Sequence, residues 1–228
     1  MAKKKISRQE LLKNEDEFIS FSNRAYQYLS AHARQFQYAA ISILVIAVII
    51  AGVSFYVRHI NNKALDAYNI AYKSLIADAH ADISENAIQK SVEEMEKLLK
   101  KYGWTKFATL ALPQLAYIKF GQGKYDEAIS LYEAYLDKDK SDSIYRLMSY
   151  FGLSAAYEAK KDYQSSIDYL TKIVDNENNL LKEEAMFSLG RIYGLAGNMQ
   201  KSKDIFKEFV NQFKDSQLLP LAKANMAK

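Results

Sequence analysis

No cysteine occurs anywhere in the chain, which removes disulfides, thiolate catalysis and cysteine-held zinc or iron-sulfur sites from consideration. Proline is almost as scarce, with only Pro113 and Pro220, and eight glycines serve 228 residues. The many tight turns of an all-β sandwich or barrel need far more of both, so the prior moves to helices. Histidine is limited to His32, His59 and His80, with no HExxH pair and no spacing that sets His, Asp and Glu as metal ligands.

A localised basic surface is lacking as well. Residues 1–58 hold eight Lys and Arg against four Asp and Glu, which leaves 23 of each sign among the chain's 31 bases and 27 acids for residues 59–228. Phosphate neutralisation needs an excess that this balanced part does not have, so no nucleic-acid partner is expected. Fragments of catalytic motifs have simpler readings. The run Gly121, Gln122, Gly123 and Lys124 has neither the preceding strand nor the Ser/Thr of a phosphate loop, and Gly152, Leu153 and Ser154 lack the last glycine of a nucleophile elbow. Glu93 with Glu94 and Glu183 with Glu184 are neighbours on helices, so their carboxylates diverge into solvent. No catalytic residue, cofactor or metal is expected.

What is present begins with an apolar run. Between Arg34 and Arg58 no residue is charged, and Tyr38 to Val57 reads YAAISILVIAVIIAGVSFYV. At about 1.5 Å per residue this helix covers about 30 Å, the thickness of a bilayer's hydrocarbon core. Tyr38, Phe55 and Tyr56 sit where rings favour the interface, and Arg34 and Arg58 can snorkel beyond them. Lys3, Lys4, Lys5, Arg8, Lys13, Arg24 and Arg34 precede the run, against Arg58, Lys63 and Lys73 in the twenty residues after it. That bias places the N-terminus in the cytoplasm and the C-terminal part outside. Ala40, Ala47 and Ser54 recur every seven residues with Ala51 beside them, either a face on which another helix packs or the composition of a plain anchor. Ahead of the run, Asn14 and Glu17 form a capping box, with Phe18, Phe21, Ala25 and Leu29 at helical spacing. The expected tail helix lies in the lipid interface or docks on a partner. The expected organisation is thus a basic cytoplasmic tail over 1–36, a transmembrane helix over 37–58 and an all-α domain over 59–228.

In that domain apolar residues recur three and four apart, predicting helices over 62–80, 84–101, 105–121, 124–138, 143–160, 163–175, 180–196, 199–213 and 216–227, with Ser84 capping the second and Gly103 closing it. The stretch LPQLAYIKFGQGKYDEAISLYEAYL is similar to a tetratricopeptide (TPR) repeat: Leu112, Leu115 and Ala116, the turn at Gly123 to Tyr125, then Ala128, Tyr132 and Leu136. A second copy aligns at Tyr150, Leu153, Ser154, Tyr157, Tyr163, Ser166, Leu170 and Val174. A third aligns at Met186, Leu189, Gly190, Tyr193, Gly197, Met199, Ser202, Phe206 and Val210. Small residues paired across the two helices, Ala116 with Ala128, Ser154 with Ser166 and Gly190 with Ser202, permit close approach, and each pair leaves an apolar face for its neighbour to cover, so the pairs stack as a solenoid. The expected repeats are 105–138, 143–175 and 180–213, between a degenerate leading pair at 62–101 and a capping helix at 216–227.

With anchor, basic tail and divergent repeats together, the chain resembles the YfgM-like family of bacterial inner-membrane proteins, ancillary subunits of the Sec translocon. The resemblance implies a periplasmic TPR domain whose partners are translocon subunits, chaperones and unfolded or emerging polypeptide segments. The TPR likeness implies that partners lie in a groove formed by the first helix of each pair, here Tyr117 and Phe120, then Met148, Phe151 and Glu158, then Phe187 and Arg191. Those rings serve either the groove or the core. A TPR scaffold for cell-envelope assembly or division, and an enzyme of unrecognised type, remain the alternatives.

Overall fold

The computed structural model describes residues 23–24, 26–76, 85–141, 143–176 and 179–226. Among the described residues every regular element is a helix: α1 (Ala33–Ile76), α2 (Glu85–Tyr102), α3 (Lys106–Gly121), α4 (Tyr125–Lys138), α5 (Ile144–Ala159), α6 (Tyr163–Val174), α7 (Lys182–Leu195), α8 (Met199–Gln212) and α9 (Leu219–Met226). The Asn14/Glu17 box, Phe18, Phe21 and Ala25 of the expected tail helix, and the Ser84 cap, lie outside the described residues.

The chain divides into two compact units, Met1–His59 and Ile60–Lys228. In the first, α1 is long and apolar enough to cross a membrane, and none of its most apolar 18-residue stretch is buried. A helix serving as the core of a folded domain would be covered. The hydroxyl of Ser42 donates to the Tyr38 carbonyl at 2.8 Å, so this side chain satisfies itself within the helix. The sequence suggests a break near residues 59–61, but α1 runs unbroken from Ala33 to Ile76. Asn61 and Asn62 cost a helix only about 0.7 kcal/mol each or less relative to alanine, and no Gly or Pro between Val57 and Ile76 stops it.

In the second unit helices pack in chain order, and each core cluster is shared between adjacent pairs. Ala64 and Ala71 of α1 pack with Val92, Met95 and Leu98 of α2 and with Ala108, Ala111 and Leu115 of α3. Ala116, Ala128 and Tyr132 pack with Leu153 and Ala156 of α5. Leu147, Ile167, Leu170 and Ile173 pack with Ala185, Leu189 and Ile192 of α7. Met186, Phe206 and Phe209 are closed off by Ala222 of α9. Contacts limited to neighbours are what a repeat solenoid requires. Polar clasps tie the layers. Lys119, buried on α3, reaches Glu96 of α2 at 2.8 Å and Glu127 of α4 at 3.0 Å, which satisfies its charge, and the Glu96 hydrogen bond raises its pKa most.

Helix starts and stops follow local chemistry. The side chains of Thr105, Ser143, Asp162 and Asn198 accept from the backbone N–H three residues on, at 3.3, 3.4, 3.1 and 3.2 Å, capping α3, α5, α6 and α8. All three repeats turn the same way. The N–H groups of Lys124, Asp162 and Asn198 bond the carbonyls of Lys119, Tyr157 and Tyr193, each at 2.9 Å, closing a Schellman turn. Its left-handed residue is Gly123 (φ 74°), Lys161 (φ 65°) and Gly197 (φ 81°); only the middle copy bears the steric cost of a side chain there.

A candidate protein-binding groove

The small residues pair across helices with fixed chemistry. The Ser202 hydroxyl donates to the Gly190 carbonyl at 2.7 Å, and Ser154 and Ser166 share a hydrogen bond at 2.8 Å. Ala116 and Ala128 are both fully buried. A fourth pair was not read from the sequence: Ser91 of α2 donates to the Ala71 carbonyl of α1 at 2.9 Å, the same relation as Ser202 to Gly190. Ala71, Ala116, Ser154 and Gly190 therefore occupy equivalent positions in four first helices, and neighbouring positions on those helices define one shared face.

Three residues before each small residue stand Tyr68, Pro113, Phe151 and Phe187, and one residue after stand Tyr72, Tyr117, Ala155 and Arg191. Tyr117 is 72% exposed and Met148 52%, so both offer free apolar surface. Phe120 is half-buried against the Ala116 and Leu153 cluster, its ring 5.5 Å from Tyr125. Phe151 packs partly on the Leu170 and Leu189 cluster. Phe187 meets Phe206 and Phe209 edge-on, with centroids at 5.5 and 5.9 Å. Glu158 and Arg191 face each other as a two-pronged ion pair joining α5 to α7, with Nη2 to Oε2 at 2.8 Å.

The N-terminal part of this face is richer in tyrosine than the repeat pattern suggested. Tyr68 and Tyr72 of α1 lie nearly parallel with centroids 6.1 Å apart, and the Gln114 amide donates to the Tyr68 hydroxyl. The other end of that amide, Oε1, is buried without a partner. Tyr132 crosses from α4 so that its ring tip fills the place a Cβ on Gly152 would take. Burial pushes its phenol up to about 12, with Tyr117 close enough to add to the effect. The candidate face thus presents ring faces, hydroxyls and an amide, and on it Glu158 and Arg191 neutralise each other. Among the described residues no group of three or more His, Asp and Glu is placed to hold a metal.

The model of the tetratricopeptide repeat-like domain family matches residues 33–228. The chain belongs to that family. Solved TPR structures share its fold. The nearly identical TPR-like repeats described as kinesin light chain from Podosopora anserina align with TM-score 0.56 at 17% identity, covering 73% of this chain and 84% of that one. A tetratricopeptide repeat protein from Parabacteroides merdae aligns with TM-score 0.55 at 17% identity, over 68% of this chain and 59% of that one. The MamA protein aligns with TM-score 0.54 at 17% identity, over 72% and 82%. At such identities the likeness establishes the TPR fold alone. No curated protein matches the chain.

Proposed function

We propose that this TPR protein is a membrane-anchored scaffold, with α1 seated in the bilayer and the solenoid groove holding segments of partner proteins. The observation that carries the reading is the combination of a bare apolar helix, none of its most hydrophobic stretch buried, with a TPR face on which Tyr117 and Met148 stand open. The eleven Ile, Leu, Val and Phe residues between Tyr38 and Val57 contribute about 3–7 kcal/mol toward insertion. Lysine and arginine bias across the apolar run supports a cytoplasmic N-terminus and a periplasmic TPR domain at a bacterial inner membrane. The resemblance to the YfgM-like family supports a task beside the translocon, with translocon subunits, periplasmic chaperones or unfolded segments as partners. Rings and hydroxyls without net charge suit such segments, because they supply contact area while tolerating many sequences.

The test is a photo-crosslinking amino acid at Tyr117 or Met148 in native membranes. Crosslinks to translocon subunits, chaperones or nascent chains support the reading. Crosslinks to cell-wall or division enzymes would move the scaffold to another assembly. Silence at both positions in a folded, membrane-inserted protein would remove the groove from consideration, and protease cleavage of the TPR domain from the cytoplasmic side would invert the topology.

A further inference from the structure

Trp104 is the chain's one tryptophan, and it is 58% exposed in the turn between α2 and α3. The turn is rigid. The backbone N–H and the hydroxyl of Thr105 both donate to the Tyr102 carbonyl at 2.8 Å, and a Cβ on Gly103 would stand 2.5 Å from the Leu99 carbonyl oxygen.

The nearest charges in sequence on either side of it are lysines. Lys100, Lys101 and Lys106 are exposed, and Lys138 of α4 reaches over to donate to the Gly103 carbonyl at 2.8 Å. Lys101 leans on the Tyr102 ring at 5.3 Å. None of these four forms a salt bridge among the described residues; Glu94 pairs with Lys97 at 2.8 Å, Glu96 with Lys119 at 2.8 Å and Asp137 with Lys140 at 3.2 Å, while exposed Glu93 accepts from Gln89 at 3.4 Å. Beside the turn lies a hollow of about 620 Å³ lined in part by Ala67, Glu94, Lys97, Lys100, Lys101 and Tyr102. In a domain with equal numbers of acids and bases, four lysines outside any salt bridge among the described residues gather about one exposed indole.

The position of this patch along the fold matters. Tyr102 and Leu98 pack on α1 at Ala64 and Ala67, and Ala64 follows Val57, the last residue of the apolar run, by seven residues of unbroken helix. Tryptophan prefers the interface between lipid and water, and lysines next to it are drawn to anionic headgroups. The anchor keeps the patch at high effective concentration beside one surface.

We propose that the Trp104 turn, with Lys100, Lys101, Lys106 and Lys138, is a contact site for anionic lipid headgroups of the bilayer that holds α1. It fixes the TPR domain to the membrane surface at a second point. This rests on the reading of α1 as a membrane anchor.

The full-length protein, reconstituted into vesicles of phosphatidylcholine alone or with added phosphatidylglycerol, tests it through its single indole. With phosphatidylglycerol, Trp104 emission should move to shorter wavelength, acrylamide quenching should fall severalfold, and lipids brominated near the headgroup should quench it. Molar salt, or the triple variant K100E/K101E/K106E with unchanged circular dichroism, should reverse all three. Flotation with the vesicles and resistance to alkaline extraction are read in the same samples. Protein that floats while Trp104 stays equally open to acrylamide in both lipids overturns this site and leaves the anchor standing. Protein that does not float overturns both.

Discussion

Arg191 sends both terminal guanidinium nitrogens to the two carboxylate oxygens of Glu158, one repeat away. The pair spans the first helices of the second and third repeats, so it ties one to the other while each side chain neutralises its partner. Its side chains are 42% and 28% exposed, and partly solvated pairs contribute about 0.2–1 kcal/mol. Glu158→Ala should therefore cost about 0.5 kcal/mol in denaturant melts, and the swap E158R/R191E should recover most of it in a double-mutant cycle. On the proposed groove, Glu158→Ala also frees a cation. Acidic peptides should then bind better relative to neutral ones, and an unchanged preference would argue that the groove floor does not contact ligand.

The seven candidate groove positions separate into two kinds of variant. Tyr117→Ala and Met148→Ala remove open surface and should leave the melting temperature nearly unchanged while weakening crosslinking to partners. Phe187→Ala removes edge-on contacts with Phe206 and Phe209 and should cost about 2 kcal/mol, below the 3–5 kcal/mol of a fully buried phenylalanine. Thermal melts beside crosslinking yields separate the two outcomes. Equal stability loss at Tyr117 and Phe187 would mean that the exposed ring also packs.

Gly152 and Tyr132 test how the second repeat rests on the first. A methyl group at Gly152 would collide with the Tyr132 ring, and that ring is only 4% exposed, so it has little room to yield. Gly152→Ala should cost about 1–3 kcal/mol through overpacking. Gly121→Ala meets nothing within 4 Å and should be close to neutral. Tyr132→Leu opens the space, so G152A/Y132L should be more stable than the sum of its single changes predicts. Strict additivity would show that the close approach does not exist in solution.

The repeat architecture was readable because its determinants are local: apolar spacing of three and four, and small residues at fixed offsets. Second-helix small residues Ser91, Ala128, Ser166 and Ser202 follow one another at 37, 38 and 36 residues, but the first-helix step from Ala71 to Ala116 is 45. The longer connection in the leading hairpin hid that copy, and the Ser91 hydrogen bond to Ala71 reveals it. Lys161 in the left-handed turn position was equally invisible, since glycine marks that place in the other two copies. Which rings face solvent was not legible either. Phe151 and Phe187 share one register position and are half-buried, while Tyr117, four residues further round the helix, projects outward; side chains leaning toward the helix N-terminus decide this, and residue spacing alone does not resolve it.

Acid and alkali should destabilise the TPR domain through different residues. Asp139 accepts from the Ser141 hydroxyl at 2.6 Å and the Ser141 N–H at 2.9 Å, and the Tyr135 hydroxyl also donates to it. These bonds, the Ser141 hydroxyl foremost, lower its pKa from 3.8 to about 2. A depressed carboxylate stabilises the fold above its unfolded pKa, so this contribution is intact at neutral pH and lost as pH falls from about 4 through 2. Asp162, held down by Ser165, and Glu127, held down by Lys119, act in the same direction. Asp139→Asn should lower stability at pH 7 by about 1 kcal/mol after solvent screening and flatten the loss between pH 4 and pH 2. The alkaline limb belongs to tyrosine. Burial pushes Tyr132 and Tyr135 up to about 12, so the folded state keeps protons the unfolded chain releases, and stability drops as pH rises from 10 toward 12. Tyr132→Phe should reduce that alkaline slope and leave the acid limb as in the parent, whereas Asp139→Asn should flatten the acid limb and also remove the part of the alkaline slope that the Asp139 carboxylate adds through Tyr135. Melting curves across both limbs decide it, and a Tyr132→Phe protein with the parent's alkaline slope would show that this phenol is not buried.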